Sequence, residues 1–274
     1  MTMIKLSPKA LPVSDPRKDK DDKTATLFGI RFSTVDTDGL VDTLAEEAVP
    51  RGAGLRLLVT ANVDHIVNLR RNERFREAYR FAWRAVIDGT PVFLYARLRG
   101  LALPGKVTGS DLFPRLIARL EPGVHRILLV SPTEDTSRRL YERLQQMGFT
   151  DHIVMTAPPA FEDDKRFARW LIAAARRQQT THLILGLGAP KSEIWMHEHA
   201  RQLPDCYGMA LGAALEFYAG TKQRAPVFMR RAGIEFLWRV ICEPRRLARR
   251  YFVSSWSFFR AIAEDLRGKT LPRP

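Results

Sequence analysis

From about residue 24 onward, short apolar runs rich in Val, Ile and Leu alternate with longer stretches of helical period. The short runs predict strands at Thr26–Phe32, Leu55–Thr60, Ala85–Asp88, Arg126–Val130, Ile153–Thr156, His182–Leu187 and Tyr207–Leu211. Between them, helices are predicted near 37–49, 63–82, 91–99, 110–120, 133–147, 162–178, 191–202 and 213–219. Short apolar strands alternating with helices imply an α/β fold: a Rossmann-like, mainly parallel sheet with helices on both faces. Ser131-Pro132-Thr133-Glu134 reads as a capping box, with Ser131 at the N-cap and Pro132 at the first helical position. Pro190 similarly marks a helix start after Gly188-Ala189. Such starts place helix N-termini, which favour phosphates, at the carboxyl edge of the sheet.

The alternation stops at about Arg224. Residues 227–242 and 245–266 read as helices separated by a break at Pro244, and Leu247, Tyr251, Trp256 and Phe259 recur at helical spacing. The organisation expected is a polar leader (1–24), a core (25–220) and a helical C-terminal appendage (221–274). Composition sharpens this division. The net charge is +14 in 274 residues, yet residues 221–274 hold 13 of the 44 Lys and Arg and only 4 of the 30 Asp and Glu. Aromatic residues interleave with those charges, a mixture suited to an anionic membrane surface; solvated arginines over packed aromatics would give the same composition. Cys206 and Cys242 have no metal-type spacing and read as reduced thiols of a cytoplasmic protein. No run of about 18 apolar residues spans a bilayer. No nucleic-acid motif accompanies the basic charge, so nucleic acid is not an expected partner.

Four segments could carry chemistry. Val59-Thr60-Ala61-Asn62 ends a strand, where Thr60 and Asn62 either cap the next helix or face a ligand. Asp88-Gly89-Thr90-Pro91 places a carboxylate at a strand end, as a turn residue or as a base. Lys106-Val107-Thr108-Gly109-Ser110-Asp111 offers a cation, hydroxyls and a helix start to a diphosphate or sugar. Gly186-Leu187-Gly188-Ala189-Pro190-Lys191 allows close backbone approach and adds a positive charge, but lacks the third glycine of a dinucleotide fingerprint. Two Asp-x-Asp matches, Asp19/Asp21 and Asp36/Asp38, fall in the leader and at a helix start and are rejected as metal sites. His197 and His199 are two apart and point to different faces of one helix.

Taken in order, these segments resemble the WecG/TagA/CpsF family of bacterial glycosyltransferases (glycosyltransferase family 26). The resemblance continues through Gly212-Ala213-Ala214 to Ala219-Gly220-Thr221, Arg224-Ala225-Pro226, Gly233 to Arg239, and Glu243-Pro244-Arg245-Arg246, covering roughly residues 25–253. It implies a Rossmann-like core and an inverting transfer from a UDP-sugar (N-acetylmannosamine, its uronic acid, or glucose type). The implied acceptor is a polyprenyl-diphosphate-linked glycan of cell-surface polysaccharide synthesis, met on the inner face of the cytoplasmic membrane. Asp88 falls at the family's proposed base position, and Thr60 and Asn62 match its substrate pocket. Thr108, Asp111, Gly186, Gly188, Ser192 and Glu216 are expected to bind substrate. Lys106 and Lys191 are expected to neutralise departing UDP without a metal or other cofactor. Arg239, Arg246 and Arg249 are expected to grip the acceptor diphosphate or close over the donor, and Trp256, Phe258 and Phe259 to enter lipid. Self-association through the apolar appendage is a further expectation. Three positions depart from the family pattern: Lys106 replaces Arg, Ser192 replaces Gln, and Ser131-Pro132 replaces a glycine-rich turn. The competing class is a non-catalytic, membrane-associated nucleotide-binding protein.

Overall fold

The computed structural model describes residues 23–231, 234–242 and 256–268. The central element is a six-stranded sheet whose paired strands all run parallel. The chain first forms a separate antiparallel hairpin of β1 (Thr24–Leu27) and β2 (Ile30–Ser33). The sheet strands are β3 (Leu55–Ala61), β4 (Arg84–Ile87), β5 (Ile127–Ser131), β6 (Ile153–Thr156), β7 (His182–Leu185) and β8 (Cys206–Ala210), in the order β4-β3-β8-β7-β5-β6. Alternate residues feed opposite faces, as the pleat requires. Leu57, Val59, Ile87, Val130 and Leu185 enter one core, while Leu58, Val86, Leu129, Ile184 and Met209 enter the other.

The helices cover both faces. They are α1 (Thr37–Glu46), α2 (Val63–Leu69), α3 (Glu73–Phe81), α4 (Thr90–Leu98), α5 (Gly109–Arg119), α6 (Glu134–Gln146), α7 (Lys165–Gln178), α8 (Lys191–His199), α9 (Ala214–Ala219), α10 (Val227–Arg231) and α11 (Glu235–Cys242). A last helix, α12, spans 256–266.

Three local expectations are corrected. The single strand at Thr26–Phe32 is a hairpin, because Phe28 and Gly29 both take positive φ and turn the chain. The helix at 63–82 is two helices: Asn72 caps a new start by accepting from the Phe75 N–H (3.1 Å). Thr133, not Ser131, is the N-cap of α6, accepting from the Thr136 N–H (3.3 Å). Ser131 stays on β5, fully buried, with its hydroxyl 2.8 Å from that of Ser137.

Helix α12 packs on the core. Phe258 and Ala261 are buried on it, and Phe258 lies against Phe28 (centroids 5.9 Å). Asp265 accepts from the Phe28 N–H and the Tyr95 hydroxyl, each at 2.7 Å, and pairs with Arg99. Among the described residues no helix is long and apolar enough to cross a membrane.

Candidate active site

Register brings the strand ends together. Ala61 lies opposite Ile87, so Asn62 and Asp88 leave the sheet side by side. Val59 and Leu185 both lie opposite Ala210, so Leu211-Gly212 and Gly186 leave it beside them. A cleft of about 940 Å³ opens here, at the carboxyl edge where parallel α/β sheets bind ligands. Two glycines shape it. Gly186 has Leu215 and the Gly212 carbonyl so close that an added Cβ would stand 2.9 Å from Leu215 Cδ2 and 3.2 Å from that oxygen. Gly89 holds φ +104°, a conformation L side chains rarely adopt, and this turn carries the chain from Asp88 into α4.

Thr60, Asn62, Asp88, Gly186, Gly188, Lys191 and Glu216 all line the cleft. The backbone N–H of Asp88 is fixed to the Ala61 carbonyl (2.8 Å). Asn62 does both things open to it: its side chain accepts from the His65 N–H (3.2 Å), capping α2, and it borders the cleft. Lys191 is paired with Glu162, and Lys222 with Glu216 (3.0 Å).

Other expected contacts are engaged elsewhere. Lys106 donates to the Thr90 hydroxyl (3.2 Å) at the start of α4 and is not among the lining residues. Thr108 caps α5 and donates to Asp111 (2.8 Å); Asp111 in turn accepts from Arg224 (2.8 Å). Their neighbours Gly109 and Ser110 line the cleft instead. Ser192 is fully buried and bonds back to the Gly188 carbonyl (3.2 Å), because a short hydroxyl at this position is satisfied within its own turn. Arg239 lies on α11, and Arg246 and Arg249 lie outside the described residues. Phe258 is corrected: 6% exposed and packed on Phe28, it has no face to offer lipid, whereas Trp256 (79%) and Phe259 (66%) point outward. Of the rejected Asp-x-Asp pairs, Asp19 and Asp21 lie outside the described residues; Asp36 caps α1 and Asp38 pairs with Arg115.

The floor holds residues that sequence reasoning passed over. Glu193 is buried, and the lack of solvent pushes its carboxyl up to about 8, so it is uncharged at neutral pH. Its Oε1 lies 3.7 Å from His65 Nε2, too far for a hydrogen bond, and with Glu193 protonated the contact is not an ion pair. His65 Nδ1 meets the Tyr79 hydroxyl at 2.6 Å. Burial first, then the charges of Glu193 and Asp88, push the Tyr79 phenol well above its ordinary value. One signal for this cluster was available: His65 and Glu193 each sit three residues beyond a helix-starting residue, Asn62 and Pro190. Arg71, at the break between α2 and α3, also lines the cleft.

Known proteins give this geometry a lineage. The chain is 24% identical over 222 residues to an N-acetylglucosaminyldiphosphoundecaprenol N-acetyl-beta-D-mannosaminyltransferase of Bacillus spizizenii, covering 78% of this chain and 81% of that protein. A Staphylococcus aureus protein of the same name is 22% identical over 227 residues, covering 81% and 86%. The family model for the WecG/TagA/CpsF glycosyl transferases matches residues 25–271, and with strand ends, glycine turns and Asp88 arranged around one cleft, the chain belongs to that family.

Proposed function

We propose that this glycosyl transferase moves a sugar from a UDP-sugar, with inversion, onto a polyprenyl-diphosphate-linked acceptor at the inner face of the cytoplasmic membrane. The observation that carries the reading is Asp88, held at a strand end in a cleft also lined by Gly186, Gly188, Lys191 and Lys222. In one displacement, the acceptor hydroxyl gives its proton to Asp88 as its oxygen bonds to the anomeric carbon. The bond from that carbon to the diphosphate oxygen breaks, and UDP leaves with the electron pair. Lys191, Lys222 and the N-terminus of α8 face the charge that develops on UDP. These cations supply the role that a divalent ion fills in other transferases, so activity should survive EDTA; complete loss that added metal restores would overturn this part.

The relatives' names support both halves of the reaction: an undecaprenyl-diphosphate-linked N-acetylglucosamine acceptor and an N-acetylmannosaminyl donor group. For the donor we retain the N-acetylmannosamine, uronic acid and glucose types, because the buried Ser192 replaces a glutamine common in the family. Attachment to an anionic membrane is supported by α12, whose outward face carries Trp256, Phe259 and Arg260, with Arg267 exposed just past its end.

The test is UDP release from a panel of UDP-sugars, with and without a short-chain polyprenyl-diphosphate-sugar and anionic liposomes. Acceptor-dependent release from one donor is expected and would name the sugar. A folded protein that binds UDP but releases none with any pair would favour the non-catalytic reading.

A further inference from the structure

The break between α2 and α3 places Arg71 in the cleft lining, on the same rim as α12. Among the described residues, three Lys or Arg side chains line this cleft. Two of them, Lys191 and Lys222, are each paired with a carboxylate. Arg71 is held differently: its Nη2 donates to the Ser257 hydroxyl of α12 at 2.9 Å, and among the described residues no carboxylate pairs with it. A hydroxyl fixes a guanidinium in place without cancelling its charge. Ser257 is itself well placed, since Arg70 pairs with Glu264 and Asp265 is bonded to Phe28, Tyr95 and Arg99. Among the described residues, Arg71 therefore presents to the cleft an oriented guanidinium that no carboxylate offsets, and its remaining N–H groups match the spacing of phosphate oxygens.

We propose that Arg71, positioned by Ser257, is a diphosphate-binding residue of this cleft. It would make the helix that carries the exposed Trp256 and Phe259 part of the ligand site. The inference rests on the transferase reading, which supplies two diphosphates: that of the nucleotide donor and that of the lipid-linked acceptor.

The experiment titrates the full chain calorimetrically with two probes, UDP and farnesyl diphosphate. Arg71 is exposed, so Arg71→Ala should melt like the wild type. Losing a charge-assisted contact should weaken one probe or both by about 10- to 100-fold. Arg71→Lys should recover part of the loss, because it restores charge without the planar fork. Ser257→Ala should weaken the same probe a few-fold, a change that a purely structural Arg71 would not transmit. A loss confined to farnesyl diphosphate assigns Arg71 to the acceptor; one confined to UDP assigns it to the donor; a loss of both makes it a shared contact. Unchanged binding of both probes by folded Arg71→Ala would overturn the proposal while leaving the transferase reading intact. A wild-type protein that binds neither probe would instead undo that reading.

Discussion

The floor and the rim of the cleft handle charge in opposite ways. At the floor, Glu193, His65 and Tyr79 are almost wholly buried, and burial keeps the carboxyl of Glu193 protonated. At the rim, Lys191–Glu162, Lys222–Glu216 and Arg71–Ser257 remain partly open to water, with Lys191 about half exposed. A charge at the floor would face a large desolvation cost, whereas rim charges are screened and can exchange partners. The floor should therefore govern stability and its pH dependence, and the rim ligand capture and its salt dependence. Asp88 lies where the two regions meet.

The largest effect is expected at that meeting point. Asp88→Asn keeps the size of the side chain but cannot accept a proton, so turnover should fall by roughly 10²- to 10⁴-fold. Melting temperature and UDP affinity should change little. Wild-type turnover by the folded variant would remove Asp88 from the role of base.

Next comes the floor. Folded Glu193 holds its proton up to about pH 8, against about 4.5 for an ordinary carboxyl. Between those values the folded state binds more protons than the unfolded one, so stability falls as pH rises through this window. His65 from α2 lies beside this carboxyl, and Tyr79 from α3 is close enough to feel its charge. Glu193→Gln removes the linkage while keeping the shape of the neutral acid. Relative to wild type it should gain on the order of a few kcal/mol between pH 5 and pH 8, read as parallel melting curves. An identical pH dependence in both proteins would mean that Glu193 ionises normally. On the acid side His182, lowered by burial to about 4, has the opposite sign: stability should fall as pH drops from about 6.5 toward 4.

The difference between floor and rim also explains what was legible in the sequence. The alternating apolar pattern specified the parallel sheet, because a strand buried on both faces leaves a continuous apolar run. The strand-end motifs specified Thr60, Asn62, Asp88 and the Gly186–Lys191 turn, because register carries them to one edge. Position in the motif did not reveal partnership. Asp111 and Thr108 look like ligand contacts in sequence, but they bond to each other, and Asp111 also to Arg224, 113 positions away. Phe258 and Phe259 are adjacent and equally aromatic, yet only packing on the hairpin decides that the first is buried and the second exposed. Arg71 was hidden because 63–82 read as one helix; the Asn72 cap that breaks it also turns Arg71 toward the cleft.

The smallest effect belongs to the rim, and it tests whether rim charges are as exchangeable as their exposure implies. Glu162 engages Lys191 at the start of α8, beside the glycine turn. A partly exposed pair of this kind contributes only about 0–1 kcal/mol, so Glu162→Gln should leave the melting temperature nearly unchanged. It should nevertheless release Lys191 to a bound diphosphate and tighten UDP binding by a few-fold, on the order of 1 kcal/mol or less. Because the added attraction acts across water, calorimetry should find the gain at low ionic strength and lose most of it above roughly 0.5 M salt, where the Debye length falls to a few ångströms. Weaker UDP binding in Glu162→Gln would mean that the pair holds Lys191 in its binding position rather than competing for it. The rim would then be preorganised like the floor, and the contrast between the two regions would reduce to solvent exposure alone.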